Sequence, residues 1–296
     1  AFLTRVSYVT ATAGVTVDLA AKTATGDASV GTDTIVGSGV GNVIGSGFAD
    51  TLYGSSNGFG TVEIFDGRGG NDTIDGRGGF DRVDYSLDVA TQAGISVNMA
   101  NGTVTGDASI GSDTLISVES VRGTNFADTY VATGFSGTSI NAGSNGTFNE
   151  FIGMGGNDSI TGNGNTRISF TNATGAVAVD LQAGTATGDA STGSDTFTGV
   201  NAAMGSMFDD TLRGAGTNDS FTGNAGNDTI DGRGGFDTAS YNNIFFTTGG
   251  VTVNIAAGNF TGDAAHGTDT MRTIEGTQRT NFVDTYVATG YGSGGA

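Results

Sequence analysis

Cysteine is missing from the chain, as are proline and tryptophan, and histidine occurs once, as His266. Without cysteine there is no disulfide framework and no thiolate for catalysis or metal binding. Without proline nothing interrupts a strand ladder, which suits many short strands in succession. One histidine leaves little for nucleophilic catalysis or a zinc site, and a lone histidine in a turn reads as a surface residue. Positive charge is scarce as well: 11 Lys and Arg stand against 30 Asp and Glu, for a net charge of −19. Such a field excludes nucleic acid and an anionic membrane surface as natural partners. No apolar stretch reaches transmembrane length, and the opening Ala-Phe-Leu-Thr-Arg-Val does not read as a signal peptide.

What the chain has in abundance is glycine, 54 of 296 residues, against a usual ~7%. Linkers share that excess, but here aliphatic residues recur at fixed intervals between the glycines. Two nonapeptides stand back to back at 67–84: Gly67-Arg-Gly-Gly-Asn-Asp72-Thr-Ile74-Asp75, then Gly76-Arg-Gly-Gly-Phe-Asp81-Arg-Val83-Asp84. Both read G-x-x-G-x-D-x-U-x, with U aliphatic. Four more run without a gap from Gly205 to Ser240, carrying Asp210, Asp219, Asp228 and Asp237, with Leu212, Phe221, Ile230 and Ala239 inward. Gly153–Thr161 adds Asp158 and Ile160. Half of each nonapeptide is a short strand. The other half is a glycine turn offering carbonyl oxygens and one carboxylate, an all-oxygen donor set for a hard cation.

A longer period encloses the short one. Thr-Gly-Asp-Ala-Ser occurs at 25–29, 105–109 and 187–191, and Thr-Gly-Asp-Ala-Ala at 261–265. Each follows an alternating strand such as Val15-Thr-Val17-Asp-Leu19, whose period of two turns one apolar face inward. The segments pair acids six apart: Asp27/Asp33, Asp107/Asp113, Asp189/Asp195 and Asp263/Asp269. Two readings stand for these pairs: polar turn residues capping main-chain N–H groups, or additional cation sites. Each segment is followed by Phe-x-Asp, carrying Asp50, Asp128, Asp210 and Asp284. Four repeat units result, 1–86, 87–170, 171–242 and an incomplete 243–296, expected as one continuous solenoid. The chain opens just before a unit's first strand and stops in mid-unit, so it reads as a window of a longer array.

This pattern is all-β. Hairpin antiparallel sheet is one arrangement; the other stacks successive turns, so that strands 18 residues apart run parallel. The nonapeptides resemble the hemolysin-type (RTX) calcium-binding repeat, which implies the second: a right-handed parallel β-roll, or β-helix-like solenoid, with two nonapeptides per coil and Ca2+ held between stacked turns. The resemblance assigns the sixth-position acids (Asp72, Asp81, Asp158, Asp210, Asp219, Asp228, Asp237) and carbonyls in the glycine half (Gly67, Gly69, Gly76, Gly78, Gly223, Gly232) as ligands, with Asp50, Asp128 and Asp284 in corresponding places. It puts Asp210 and Asp228 on one edge of the roll, Asp219 and Asp237 on the other, and Asp72 opposite Asp81. Glycines at positions one and four are expected to supply turn conformations closed to other residues. In Gly162-Asn-Gly-Asn-Thr-Arg167-Ile the sixth position is Arg167, so that site is expected to hold no ion. Nonapeptide spacing is lost between Gly54 and Asp66, where Glu63 is a substitute ligand, and between Ala132 and Ile152.

About ten divalent ions would neutralise the formal charge, and calcium at extracellular levels serves where disulfides are absent. The expectation is an extracellular calcium-binding structural segment of a surface layer, adhesin or matrix filament on a bacterial cell surface, exported by a type I system and folded by calcium. Self-association end to end is one expected partner mode, and a cell-surface glycan met by Arg68, Arg77 and Arg233 is another. The alternative is a non-catalytic module of a secreted polysaccharide-active or proteolytic enzyme. No catalytic site is expected within this chain, because every acidic cluster is repeated and a catalytic centre should occur once. The Thr-x-Thr triplets at 23–25, 103–105 and 185–187 suggest rows, but copies about 80 residues apart are expected several coils from one another.

Overall fold

The computed structural model describes residues 4–37, 39–57, 61–87, 90–242, 249–263 and 266–290. Parts of the fourth repeat unit (243–248, 264–265, 291–296) and of the loop after Gly54 (58–60) lie outside them. Every element assigned among the described residues is a β-strand. The chain forms two compact units, one of Ala1–Gly153 with Ser159–Asn163, the other of Met154–Asp158 with Gly164–Ala296.

Each unit is built from two sheets that the chain visits alternately. In unit 1 the first sheet stacks Thr4–Ser7, Val40–Ile44, Val62–Asp66, Phe80–Asp84, Ser120–Arg122 and Asn149–Ile152, all parallel. In unit 2 it stacks Thr166–Ser169, Ala202–Met204, Ser220–Thr222, Thr238–Ser240 and Gly276–Gln278, again parallel. The second sheet carries the other nonapeptide strands in the same sense: Leu52 pairs Ile74 and Ile74 pairs Leu115, each fully buried. Leu212 pairs Ile230 eighteen residues on, and Phe221 on the other sheet pairs Ala239 at the same step. The expected parallel β-roll is therefore present, and its core is the stack of inward apolar side chains such as Leu52, Ile74 and Leu115.

Antiparallel pairing is present too, in one place per long repeat. Ser96–Asn98 turns back onto Thr103–Thr105, which turns onto Ser112–Ile116, and that strand then pairs in parallel with Thr73–Asp75. The chain thus steps ahead on the second sheet and fills the gap backwards. The same meander occurs at 16–34, 178–198 and 252–272. Its first turn places Lys22, Gly102, Gly184 or Gly258 in the left-handed region, with φ of 58–68°. Its second is the Gly-Asp-Ala-Ser segment, closed by bonds such as Gly106 N–H to the Gly111 carbonyl at 2.9 Å. The meander also brings threonines from different strands side by side: Thr32, Thr25, Thr16, Thr51, Thr73, Thr114 and Thr103 follow one another across paired strands. The Thr-x-Thr triplets are therefore not isolated from other threonines, since their neighbours come from nonapeptide strands. Cross-strand threonine pairs of this kind each add a few tenths of a kcal/mol to a sheet, roughly.

Candidate metal centre

Each inward side chain is preceded, two residues earlier, by a residue where the chain passes from turn to strand at the edge of the sheet. In the nonapeptides that residue is aspartate, and parallel stacking places one aspartate over the next. The N–H of Asp210 donates to Asp228 Oδ1 at 2.8 Å, and the N–H of Asp228 donates to Asp269 Oδ1 at 2.9 Å. In unit 1 Asp50 N–H donates to Asp72 and Asp72 N–H to Asp113, at 2.8 and 2.9 Å. On the first sheet Asp219 N–H donates to Asp237 Oδ1 at 2.8 Å. Asp72 and Asp81 do fall on different sheets, as their nine-residue spacing predicts. Asp158 N–H donates to Asp195 at 2.9 Å.

The acids of these rows differ in how far the protein satisfies them. Those of the Phe-x-Asp segments, two residues after the phenylalanine, are met by protein donors. Asp50 accepts from the N–H groups of Val15 and Ser46 and from the Ser46 hydroxyl. Asp210 is held likewise by Val177 and Ser206, Asp128 by Ile95 and Thr124, and Asp284 by Val251 and Thr280. In contrast, Asp72 Oδ2, Asp228 Oδ2, Asp237 Oδ2 and both carboxylate oxygens of Asp81 are buried without a hydrogen-bond partner. Leaving such atoms unpaired costs about 1–3 kcal/mol each, more when charged. Burial, then the neighbouring Asp113, Asp50 and Asp66, pushes the Asp72 carboxyl up to about 8. Burial and then Glu119 and Glu63 push Asp81 up to about 8, and burial with Asp269 and Asp210 does the same to Asp228. Asp237, held at about 6, is raised by burial and by Asp219 and Glu275. A cation among these oxygens would relieve all of them.

The glycines shape the cradle in two different ways. Position four is left-handed, with φ of +130° at Gly70, +135° at Gly79, +115° at Gly226 and +126° at Gly235. Position one is not left-handed, contrary to expectation; it is glycine because of crowding. A Cβ on Gly67 or Gly223 would collide with Oδ2 of Asp72 or Asp228, and one on Gly205 would meet Asp210 Oδ2 and the Gly223 carbonyl. Position two is left-handed although it carries a side chain: Arg68, Arg77, Asn224 and Arg233 have φ of 63–75°. Gly69 and Gly78, at position three, face Ser109 and Ser56 rather than a carboxylate. Among the described residues no three His, Cys, Asp or Glu side chains form a metal-binding group, so a cation here needs main-chain carbonyls beside the carboxylates. Stacked carbonyls and unpaired carboxylate oxygens fit calcium, which takes six to eight such ligands.

Other expected site residues lie elsewhere. The paired acids divide between two settings. Asp27, Asp107 and Asp189 cap the meander turn by accepting from the N–H and hydroxyl of Ser29, Ser109 and Ser191. Asp263 faces His266 Nδ1 at 2.9 Å. Their partners Asp113, Asp195 and Asp269 are buried in the rows, while Asp33 is exposed beside the Tyr8 hydroxyl. His266 is buried rather than superficial, edge-on to Phe260 and Tyr241. Arg77 forks onto Asp18 at 2.9 and 2.7 Å, and Arg233 onto Asp180 at 2.7 and 2.6 Å, so neither is a free glycan contact. Arg167 is not at the acid position. Ile168 pairs Ala203, in line with Phe221, so Thr166 holds the place of Asp219 and the sequence spacing is one residue short. Glu63 is buried and accepts from the Ser55 N–H and hydroxyl at 2.8 and 2.7 Å. Sequence spacing missed Glu119 and Glu275, which accept from the N–H of Asp81 and Asp237 at 2.9 Å each. Their signal was the step of 156 that also separates Asp81 from Asp237.

Stacked coils with acid-lined glycine turns define a parallel β-roll repeat protein. The model of the RTX calcium-binding nonapeptide repeat matches the chain in four copies, over residues 64–83, 144–166 and 204–239. The chain thus carries RTX-type nonapeptide repeats over those segments, and repeats of this kind bind several Ca2+ ions along an array. No curated protein matches it.

Proposed function

We propose that this chain is an extracellular scaffold segment that calcium folds and stiffens, with the nonapeptide aspartates and the carbonyls of the stacked turns as ligands. The observation that carries the reading is the set of buried, partnerless oxygens on Asp72, Asp81, Asp228 and Asp237. With a net charge of −19 and coils that bury apolar surface only against their neighbours, the chain gains its folding free energy from ion binding. Asp72, Asp81, Asp228 and Asp237 are the principal side-chain ligands. Asp158 and Asp219 extend the rows, whereas Asp50, Asp128, Asp210 and Asp284 begin them, held by protein donors. The four repeat units are the increments in which calcium is taken up.

RTX repeats are a feature of secreted proteins and are generally non-catalytic, which supports a structural role on a cell surface: a surface layer, adhesin or matrix filament. Circular dichroism tests the reading. The chain should be largely coil in chelator and should gain β-structure cooperatively at millimolar calcium; full β-structure in chelator at low salt and neutral pH would overturn it.

A further inference from the structure

Two places on the first sheet repeat the nonapeptide geometry without a nonapeptide. In an ordinary rung the carbonyl of the next position-one glycine lies over the preceding one, as Gly223 O lies over Gly205 and Gly232 O over Gly214. Over Gly76 and Gly232 that place is taken by the carbonyls of Ser117 and Thr273. Both residues are left-handed, with φ of 52° and 49°. Two residues later Glu119 and Glu275 send a carboxylate to the N–H of Asp81 and Asp237, each at 2.9 Å. An aspartate fills that role in ordinary rungs. Here the turn has three residues where the nonapeptide spends six, and the extra methylene of glutamate spans the difference.

We propose that the turns Ser117–Glu119 and Thr273–Glu275 complete a further pair of divalent-cation sites, with Asp81 and Asp237 as the facing carboxylates. The matched nonapeptide segments contain both aspartates but neither glutamate. Asp81 is 1% exposed with both oxygens unpartnered, and Asp237 is 0% exposed with Oδ2 unpartnered. Those oxygens, a second carboxylate and a main-chain carbonyl make an oxygen set suited to a hard cation. The neighbouring arginines are engaged by other acids: Arg82 by Glu150, Arg122 by Asp84 and Arg233 by Asp180. The arrangement occurs twice, in two separately packed units. It lets the ion row continue across the seam where the meander interrupts the nonapeptides.

The proposal rests on the calcium reading above, and its test separates the two. Calcium stoichiometry is counted by native mass spectrometry and calorimetry on the whole chain and on E119Q, E275Q and the double variant. Glutamine still accepts from the Asp81 and Asp237 N–H groups, so folding in calcium is retained. Each single variant should lose one ion and the double variant two; E119D, one methylene short, should bind that ion at least tenfold more weakly. Wild-type stoichiometry and affinity in all the variants would make the glutamates hydrogen-bonded struts and overturn the proposal while calcium binding stands. A wild-type chain that binds no calcium would overturn both. Should the variants fail to fold, crystals of the wild-type chain grown with terbium decide: anomalous peaks between Asp81 and Glu119 and between Asp237 and Glu275 support the sites. Peaks confined to other turns refute them.

Discussion

Asp228 accepts a 2.8 Å hydrogen bond from the main-chain N–H of Asp210 through Oδ1, while its Oδ2 is buried over Gly223 without a partner. One carboxylate therefore both ties two coils together and presents a charge that no protein group balances. Asp228→Asn separates these roles, because the amide oxygen keeps the bond to Asp210 and the charge is gone. The variant should hold more β-structure than the wild-type chain in chelator and melt lower in saturating calcium. Circular dichroism in chelator and thermal melts in calcium check this, and a change of the same sign in both would show that Asp228 is not an ion ligand.

The position-one glycines are specified by space, which predicts a sharp contrast within one turn region. Gly223→Ala drives a methyl into Asp228 Oδ2, whereas a Cβ on Gly216 meets nothing within 4 Å. Overpacking of this kind costs about 1–3 kcal/mol, and here it also closes the space beside the acid. Gly223→Ala should lower the calcium-bound melting temperature and weaken calcium binding. Gly216→Ala should leave both near wild type.

Protons and calcium answer the same need, so acid should partly replace the ion. Asp72, Asp81 and Asp228 are raised from 3.8 to about 8 in the metal-free fold, chiefly by burial. A carboxyl raised on folding contributes stability that is full below its unfolded value and is lost as pH climbs through its folded value. In chelator the chain should thus be most structured near pH 4–5 and unfold progressively toward pH 8–9, with most of the change between these limits. Saturating calcium should remove the loss at high pH. A pH series of far-UV circular dichroism, with and without calcium, measures it; metal-free stability that rises with pH would contradict the burial of these acids.

The nonapeptide rows were legible because a period of nine with an invariant acid fixes both stacking and edge, so Asp210 over Asp228 could be read directly. The meander was not. Alternation in Val15-Thr-Val17-Asp-Leu19 shows that a face is buried but not which neighbour the strand pairs with, and the parallel and hairpin choices bury the same residues. Arg167 misled because one missing residue in its turn moves Thr166 to the acid position, a slip that only the pairing of Ile168 with Ala203 reveals. Glu119 and Glu275 escaped because a three-residue turn with a longer acid reproduces the contact without the motif. His266 is buried because its ring packs edge-on to Phe260 and Tyr241, contacts with no local signal.

Arg233 offers a test of how the coil edge is held independently of ions. Its guanidinium forks onto Asp180, fifty-three residues away in sequence, and also donates to the Gly214 carbonyl at 2.7 Å. The arginine hydrogen bonds hold Asp180 at about 2, below the usual carboxylate range. Side-chain exposures of 30% and 23% leave the pair in contact with water, so its coupling should be modest, about 0.5–1 kcal/mol. A cycle of Arg233→Met, Asp180→Asn and both together, read by melting in saturating calcium, measures that coupling. A carboxyl lowered on folding contributes stability above its unfolded value and loses it as pH falls toward the folded one, so the coupling should fade between pH 4 and 2. Arg233→Met should cost more than Asp180→Asn, since it also strips the donor from the Gly214 carbonyl. Equal losses, or coupling independent of pH down to 2, would show that the guanidinium acts through packing alone.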